Sequence, residues 1–177
     1  MSVRPEGFRR VVYDEATLAA RVRALGREVS AAYPTGELLL VGLLKGSFVF
    51  LADLARAMER PVQVDFMVAS SYGSGTTSSG NVRLLYDPET DLAGKHVLLV
   101  EDIIDTGRTM RRLLTLLAAR QPASLKVCAL LDKKIAPPIP EVAFVGFECP
   151  KAFLVGYGLD HAERYRHLPY IAELGQD

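Results

Sequence analysis

At 177 residues the chain has room for about one ordinary domain with a sizeable core, and not for two full ones. Its 49% hydrophobic and 24% charged residues balance to a formal net charge of zero, so no bulk field draws it to nucleic acid or to a membrane, and any anion site has to be local. There is no apolar run of the roughly 18 residues that a membrane span needs, and residues 1–16, MSVRPEGFRRVVYDEA, lack the apolar centre of a signal peptide, so neither insertion nor secretion is expected. In chain order, residues 15–33, EATLAARVRALGREVSAAY, place Leu18, Val22, Leu25 and Val29 at helical spacing. Residues 37–44, ELLLVGLL, form a short continuous apolar run that predicts a buried strand. A second helix is predicted at 47–58, SFVFLADLARAM, and a second strand at 62–72, VQVDFMVASSY. Residues 70–87 begin SSYGSGTTSSG, too polar to pack and too long for a tight turn, and then turn strand-like; the polar part reads as a mobile loop or as a plain linker.

Residues 97–101, VLLVE, predict a third buried strand, and after the Asp-Thr-Gly turn Met110, Leu113, Leu114, Leu117 and Ala118 share one helical face. SLKVCALL at 124–131 is a fourth strand. Continuous rather than alternating apolar strands, separated by helices, indicate a parallel sheet covered on both faces. The expected fold is therefore an open, mainly parallel α/β sheet with helices on both sides. From 133 to 174 the helices cease and prolines, aromatics and short strands take over, which reads as a small irregular cap. One domain spanning 1–177 is expected, with a core over about 10–132 and the cap over about 133–174. Cys128 and Cys149, the first inside LKVCALL, read as inert buried thiols rather than a disulfide or metal site, as suits a reducing cytoplasm.

The stretch VLLVEDIIDTGRTM at 97–110 carries the chemistry. In open α/β sheets ligands bind beyond the carboxyl ends of strands, where Glu101 and Asp102 are expected. The turn from Asp105 to Thr109 opens a helix, so its backbone N–H groups, the helix dipole and the hydroxyls of Thr106 and Thr109 favour a phosphate, with Gly107 permitting close approach. The carboxylates suit hydroxyls and a hard cation such as Mg²⁺, and a sugar phosphate satisfies both halves. Taken alone, the same residues equally fit a solvated strand end followed by Asp105 as a helix cap. The stretch is no P-loop, because the Gly-Lys-Ser/Thr ending is absent. The Asp-Thr-Gly tripeptide of aspartic proteases belongs to β-rich folds, whereas here it lies between a buried strand and a helix.

This stretch resembles the phosphoribosyl pyrophosphate motif of type I phosphoribosyltransferases, and the chain as a whole resembles the hypoxanthine-guanine phosphoribosyltransferases. The resemblance spans nearly all of residues 10–174 and also rests on LLKGSFVFLADL (43–54), SSYGSGTTSSG (70–80), LLDKK (130–134) and VGFECPKAFLVGYGLDHAERYR (145–166). It implies transfer of a phosphoribosyl group from phosphoribosyl pyrophosphate to a 6-oxopurine, with Mg²⁺ as cofactor. By the resemblance Glu101 and Asp102 hold the ribose hydroxyls, and Asp105, Thr106, Gly107, Arg108 and Thr109 hold the 5-phosphate. Asp105 also serves N7 of the purine as general acid/base. Pyrophosphate falls to Lys45 and Gly46 through the backbone of the Leu44–Lys45 peptide, which the family often has as a cis bond, and to Arg166, whose guanidinium suits that ligand. Lys133 donates to the purine 6-oxo group, Phe153 stacks on the ring with the Leu154 backbone at its edge, and Ile103 and Asp160 complete the purine side. The implied metal carboxylates are Glu101, Asp102 and Asp160, the last associated with a second Mg²⁺. Ser71 and Tyr72 belong to a loop that closes over the site and excludes water.

The sequence departs from the family at Lys151 and Ala152, where Asp-Lys is common, and at His161, commonly another aromatic. Both departures bear on the cap rim and on purine preference. The resemblance further implies a homo-oligomer, a dimer or tetramer, without nucleic acid or membrane partners. Some proteins of this fold instead bind RNA, a role that would require a basic face.

Overall fold

The structure is a computed structural model, and it describes residues 6–71 and 82–175. Its main sheet has six strands in the order β4-β3-β2-β5-β6-β7, built from β2 (Leu38–Leu44), β3 (Gln63–Ser71), β4 (Val82–Tyr86), β5 (His96–Ile104), β6 (Ser124–Asp132) and β7 (Val142–Glu148). All neighbours are parallel except β4, which returns antiparallel along β3. Helices α1 (Glu15–Ala32) and α2 (Phe48–Ala57) cover one face, where Leu18, Val22, Phe50 and Leu54 pack on Leu40, Leu98 and Val100. Helix α3 (Arg108–Ala118) covers the other, setting Met110, Leu113, Leu114 and Leu117 against Leu39, Val41, Val97 and Leu99. Alternate residues of β2 and β5 thus feed two different cores, which is why these strands are apolar at every position. Ala118 stays exposed, one residue past the buried stripe of α3.

Asp14 starts α1 by accepting the Thr17 N–H at 2.8 Å, an ordinary N-cap. The chain leaves β2 through α2 toward β3 on one side and leaves β5 through α3 toward β6 on the other. The strand order therefore reverses between β2 and β5, and the crevice at their carboxyl ends is the place such a sheet offers a ligand.

Three boundaries differ from the sequence expectation. Strand β5 does not stop at Glu101: β6 continues beside it, pairing Leu131 with Ile103 and Asp132 with Ile104, while pairing to β2 ends at Gly42 opposite Val100. The two carboxylates consequently lie on a strand that is held on one edge and open on the other. The expected cap is divided, since β7 joins the main sheet through parallel pairing with β6. The remainder, β8 (Phe153–Val155) and β9 (Ile171–Leu174), forms a small antiparallel sheet with β1 (Phe8–Tyr13), in the order β1-β9-β8. No strand is expected at 8–13 from the sequence, because two arginines interrupt its apolar residues. Their ion pairs to Glu173, 2.9 Å from Arg10 and 3.7 Å from Arg9, explain why charge is tolerated in that strand.

Candidate active site

The acidic strand end and the turn after it line one cavity of about 230 Å³, formed by Leu43 and residues 101–110. Burial, and then the Asp102 carboxylate beside it, push the Glu101 carboxyl well above the usual carboxylate range. Asp102 is oriented by its own neighbour, the Ile103 N–H donating to Oδ1 at 2.8 Å. Ile103 is half-buried and packs at the edge of the α1/α2 core. At the end of the turn Gly107 adopts the left-handed conformation, φ 71°, with no side-chain oxygen capping α3 behind it. A β-carbon here would be strained and would crowd Ile139 and Ala136. The first N–H groups of an α-helix have no partner within the helix, so this uncapped start presents donors and the positive end of the dipole to the cavity. Asp105 and Thr106 are exposed beside it, and Thr109 is half-buried.

The facing wall is the loop between β2 and α2. The Leu44–Lys45 peptide is cis, as the family resemblance leads one to expect. The fully buried Ser47 hydroxyl donates to the Leu43 carbonyl at 2.8 Å, closing the loop. Gly46 lies directly against Asp102: a β-carbon at position 46 would fall on that carboxylate. On its other side the Gly46 carbonyl backs onto Gly158, whose φ of 104° and missing β-carbon both make the approach possible. Two close approaches to glycine backbone therefore connect the acidic strand, the Lys45–Gly46 loop and the segment that follows β8. That segment is tied to α2 by the buried Tyr157, whose hydroxyl donates to Asp53 at 2.6 Å.

The base side of the crevice is built from β6 and the small sheet. Lys133 follows β6, its N–H bonded to the Ile104 carbonyl at 3.1 Å, and its ammonium lies 3.4 Å from Asp105 Oδ2. Phe153 is 38% exposed, large for a ring in a β-sheet, while Leu154 beside it is buried. His161 meets the Phe153 ring edge-on, with centroids 5.3 Å apart, so the departure at 161 keeps a ring against Phe153. Arg166 is fixed by the Gly158 carbonyl at 2.8 Å and by Asp160 at 2.9 Å. Glu163 also reaches Arg166, at 3.3 Å, and spans to Lys45 at 3.1 Å. Lys45 first, and then Arg166, hold the Glu163 carboxyl below the usual range.

The structure thus brings Glu101, Asp102, Asp105, Thr106, Gly107, Arg108 and Thr109 together with Lys45 and Gly46, places Lys133 beside Asp105, and sets Asp160 and Arg166 behind Gly46. It does not gather Glu101, Asp102 and Asp160 about one point: among the described residues no group of three His, Cys, Asp or Glu side chains is placed to hold a metal by itself. The Ser71 backbone ends β3, whereas Tyr72 lies outside the described residues. Gly158 and Glu163 carry no local signal in the sequence, because each acts on a partner brought up by the fold; Glu163 lies 118 positions from Lys45. Cys128 and Cys149 are buried free thiols, and burial raises the pKa of both.

The crevice thus combines an uncapped helix start of the kind that suits a phosphate, an adjacent carboxylate pair and, facing them, the Lys45–Gly46 loop. In agreement, the sequence pattern of the phosphoribosyl transferase domain matches residues 11–162, and the chain belongs to this family. Among its relatives, the hypoxanthine phosphoribosyltransferase of Salmonella typhimurium is 48% identical over 167 residues, covering 93% of this chain and 94% of the relative. The hypoxanthine-guanine phosphoribosyltransferase of Mycobacterium avium is also 48% identical, over 96% of this chain and 87% of that one. The crystal structure of a hypoxanthine phosphoribosyltransferase from Staphylococcus aureus superimposes with a TM-score of 0.91 at 38% identity, covering 96% and 92% of the two chains.

Proposed function

We propose that the chain is a purine salvage enzyme that transfers the phosphoribosyl group of phosphoribosyl pyrophosphate to hypoxanthine or guanine, giving IMP or GMP and pyrophosphate. The observation that carries this reading is the pairing of Lys133 with Asp105 at the mouth of the 5-phosphate turn. It puts a donor for a 6-oxo group and an acceptor for a purine proton side by side. Adenine would offer an amino donor to Lys133 and leave both groups unpaired. In the reaction the bond from C1 to pyrophosphate breaks and the bond from C1 to N9 forms, through an oxocarbenium-like state. The proton on N7 passes to the Asp105 carboxylate. Phe153 stacks on the base, with Ile103 and the Leu154 backbone at its edge. Lys45, the Gly46 backbone and Arg166 receive the charge that develops on the leaving pyrophosphate.

The donor set fits Mg²⁺. Glu101 and Asp102 are hard oxygen ligands forced together, a concentration of negative charge that a cation offsets, and Asp160 supplies a separate carboxylate beyond Gly46. Too few protein ligands converge at either place to hold a metal alone, which suits an ion shared with the oxygens of a phosphorylated substrate. When bound, Mg²⁺ supplies charge neutralisation to the diphosphate.

A panel of bases tests the activity: with Mg²⁺ and phosphoribosyl pyrophosphate, hypoxanthine and guanine are expected to yield nucleotide and adenine to fail. Lys133→Ala is expected to raise the KM for 6-oxopurines by about tenfold, the worth of one hydrogen bond to a charged donor, while phosphoribosyl pyrophosphate binding stays within about twofold. Equal loss of both affinities would contradict the assignment of Lys133. Gly46→Ala places a methyl on the Asp102 carboxylate and is expected to lower kcat/KM for phosphoribosyl pyrophosphate by about 10–10²-fold through misplacement of reacting groups. Thermal melting is expected to show the variant still folded, and unchanged kinetics would mean that the loop moves freely.

The exposed Phe48, Val64 and Phe66, on α2 and the adjacent strand β3, support self-association as a dimer or tetramer. Phe66→Asp is expected to lower the mass measured by light scattering. The buried free thiols suit a cytoplasmic protein. Among the described residues no helix is long and apolar enough to cross a membrane.

A further inference from the structure

The reading of Lys45 and Arg166 as pyrophosphate ligands leaves a third residue unexplained. A single oxygen of Glu163, Oε2, contacts both cations, Lys45 Nζ at 3.1 Å and Arg166 Nη2 at 3.3 Å, although the two lie on opposite sides of the Gly46–Gly158 contact. We propose that Glu163 is an internal anion standing in for pyrophosphate, occupying the two cations until the ligand displaces it and returning to them as the product departs. The inference rests on the pyrophosphate assignment of Lys45 and Arg166 and adds to it a residue that sets how tightly that product is held.

Three observations carry it. Arg166 does not need Glu163 for its position, because the Gly158 carbonyl and Asp160 hold the guanidinium at 2.8 and 2.9 Å. The side chains of Lys45 and Glu163 are both 65% exposed, so their ion pair is screened and easily exchanged for another anion. The exchange also improves geometry: one carboxylate oxygen shared between two cations gives way to a diphosphate with several oxygens, able to meet the guanidinium in a bidentate manner. The backbone of Glu163 remains anchored meanwhile, its N–H donating to Asp160 Oδ2 at 2.9 Å, so the side chain can swing aside while its turn stays in place.

The test measures pyrophosphate binding, in excess Mg²⁺, to the full-length chain and to E163Q, K45A, the K45A/E163Q double variant and E59Q, by calorimetry at one ionic strength. E163Q is expected to bind pyrophosphate about three- to tenfold more tightly, the scale of two solvent-screened ion pairs, and to release it more slowly in stopped flow. K45A is expected to bind it more weakly, and the gain from E163Q is expected to shrink in the K45A background, since coupling marks a shared contact. E59Q, which removes an exposed charge at the far end of α2, is expected to bind as the parent does. Unchanged or weaker binding by E163Q while K45A weakens it would overturn the inference and leave the pyrophosphate site standing. Parental binding by K45A would show that the ammonium does not meet pyrophosphate and would overturn the inference, while unchanged binding in every variant, Arg166→Ala included, would remove the site reading itself. A gain in E59Q equal to that in E163Q would reduce the effect to bulk charge and overturn the inference.

Discussion

Asp105→Asn is expected to lower turnover by about 10²–10⁴-fold while the 5-phosphate binds within a few-fold of the parent, the usual worth of a positioned general acid/base. The amide has the size of the carboxylate and leaves the turn's backbone untouched, so Gly107 keeps its left-handed conformation and α3 keeps its uncapped start. What disappears is the carboxylate that takes the purine proton, and with it the ion pair that Lys133 makes at 3.4 Å. Asp105 is itself exposed, so the substitution buries nothing and thermal stability is expected to stay within about 0.5 kcal/mol of the parent, as for most surface changes. Steady-state kinetics paired with a titration of IMP checks both parts. Near-parental turnover would leave Asp105 as a phosphate-turn residue only, and the proton would pass to water.

Much of this geometry can be traced to local sequence, and the part that cannot has a common cause. Continuous apolar runs at 38–44 and 97–100 expose the parallel sheet, because a strand covered on both faces has no polar side to show. Helical spacing at Met110, Leu113, Leu114 and Leu117 places α3 and therefore the phosphate turn before it. Charge misleads at two points. Glu101 and Asp102 mark a strand end by their polarity, yet β6 carries the strand on to Ile104 because backbone pairing does not depend on which side chains face a crevice. Arg9 and Arg10 mask β1, whose partner Glu173 lies more than 160 positions away. The contacts that shape the site are of the same kind. Gly46 against Asp102 joins the ends of two strands far apart in sequence but adjacent in the main sheet, and Gly158 against Gly46 and Glu163 between Lys45 and Arg166 join segments that become neighbours only once the two sheets are assembled.

Removal of Mg²⁺ is expected to lower turnover by at least about 10³-fold, and its return to restore the loss. The argument begins with the carboxylates: Glu101 resists ionisation because burial and Asp102 oppose a second charge, so bringing a polyanionic sugar diphosphate to this strand adds repulsion to a place already short of positive partners. Two unit charges about 4 Å apart interact by about 4 kcal/mol at an effective dielectric of ~20, and a loss of that size at the transition state corresponds to about 10³ in rate. Lys45 and Arg166 offset only part of this repulsion, since Glu163 has first to be displaced from both and Asp160 stays on Arg166. The measurement is turnover across a chelator titration with Mg²⁺ restored at the end, accompanied by thermal melting. The melting temperature is expected to rise with phosphoribosyl pyrophosphate when Mg²⁺ is present and to stay near that of the free protein when the chelator is in excess. Full activity in chelator would mean that the carboxylates meet the ribose hydroxyls directly and that the protein's own cations neutralise the diphosphate. In that case Glu101→Gln and Asp102→Asn should cost turnover by the same factor with and without Mg²⁺, whereas a shared cation predicts that their cost depends on its concentration.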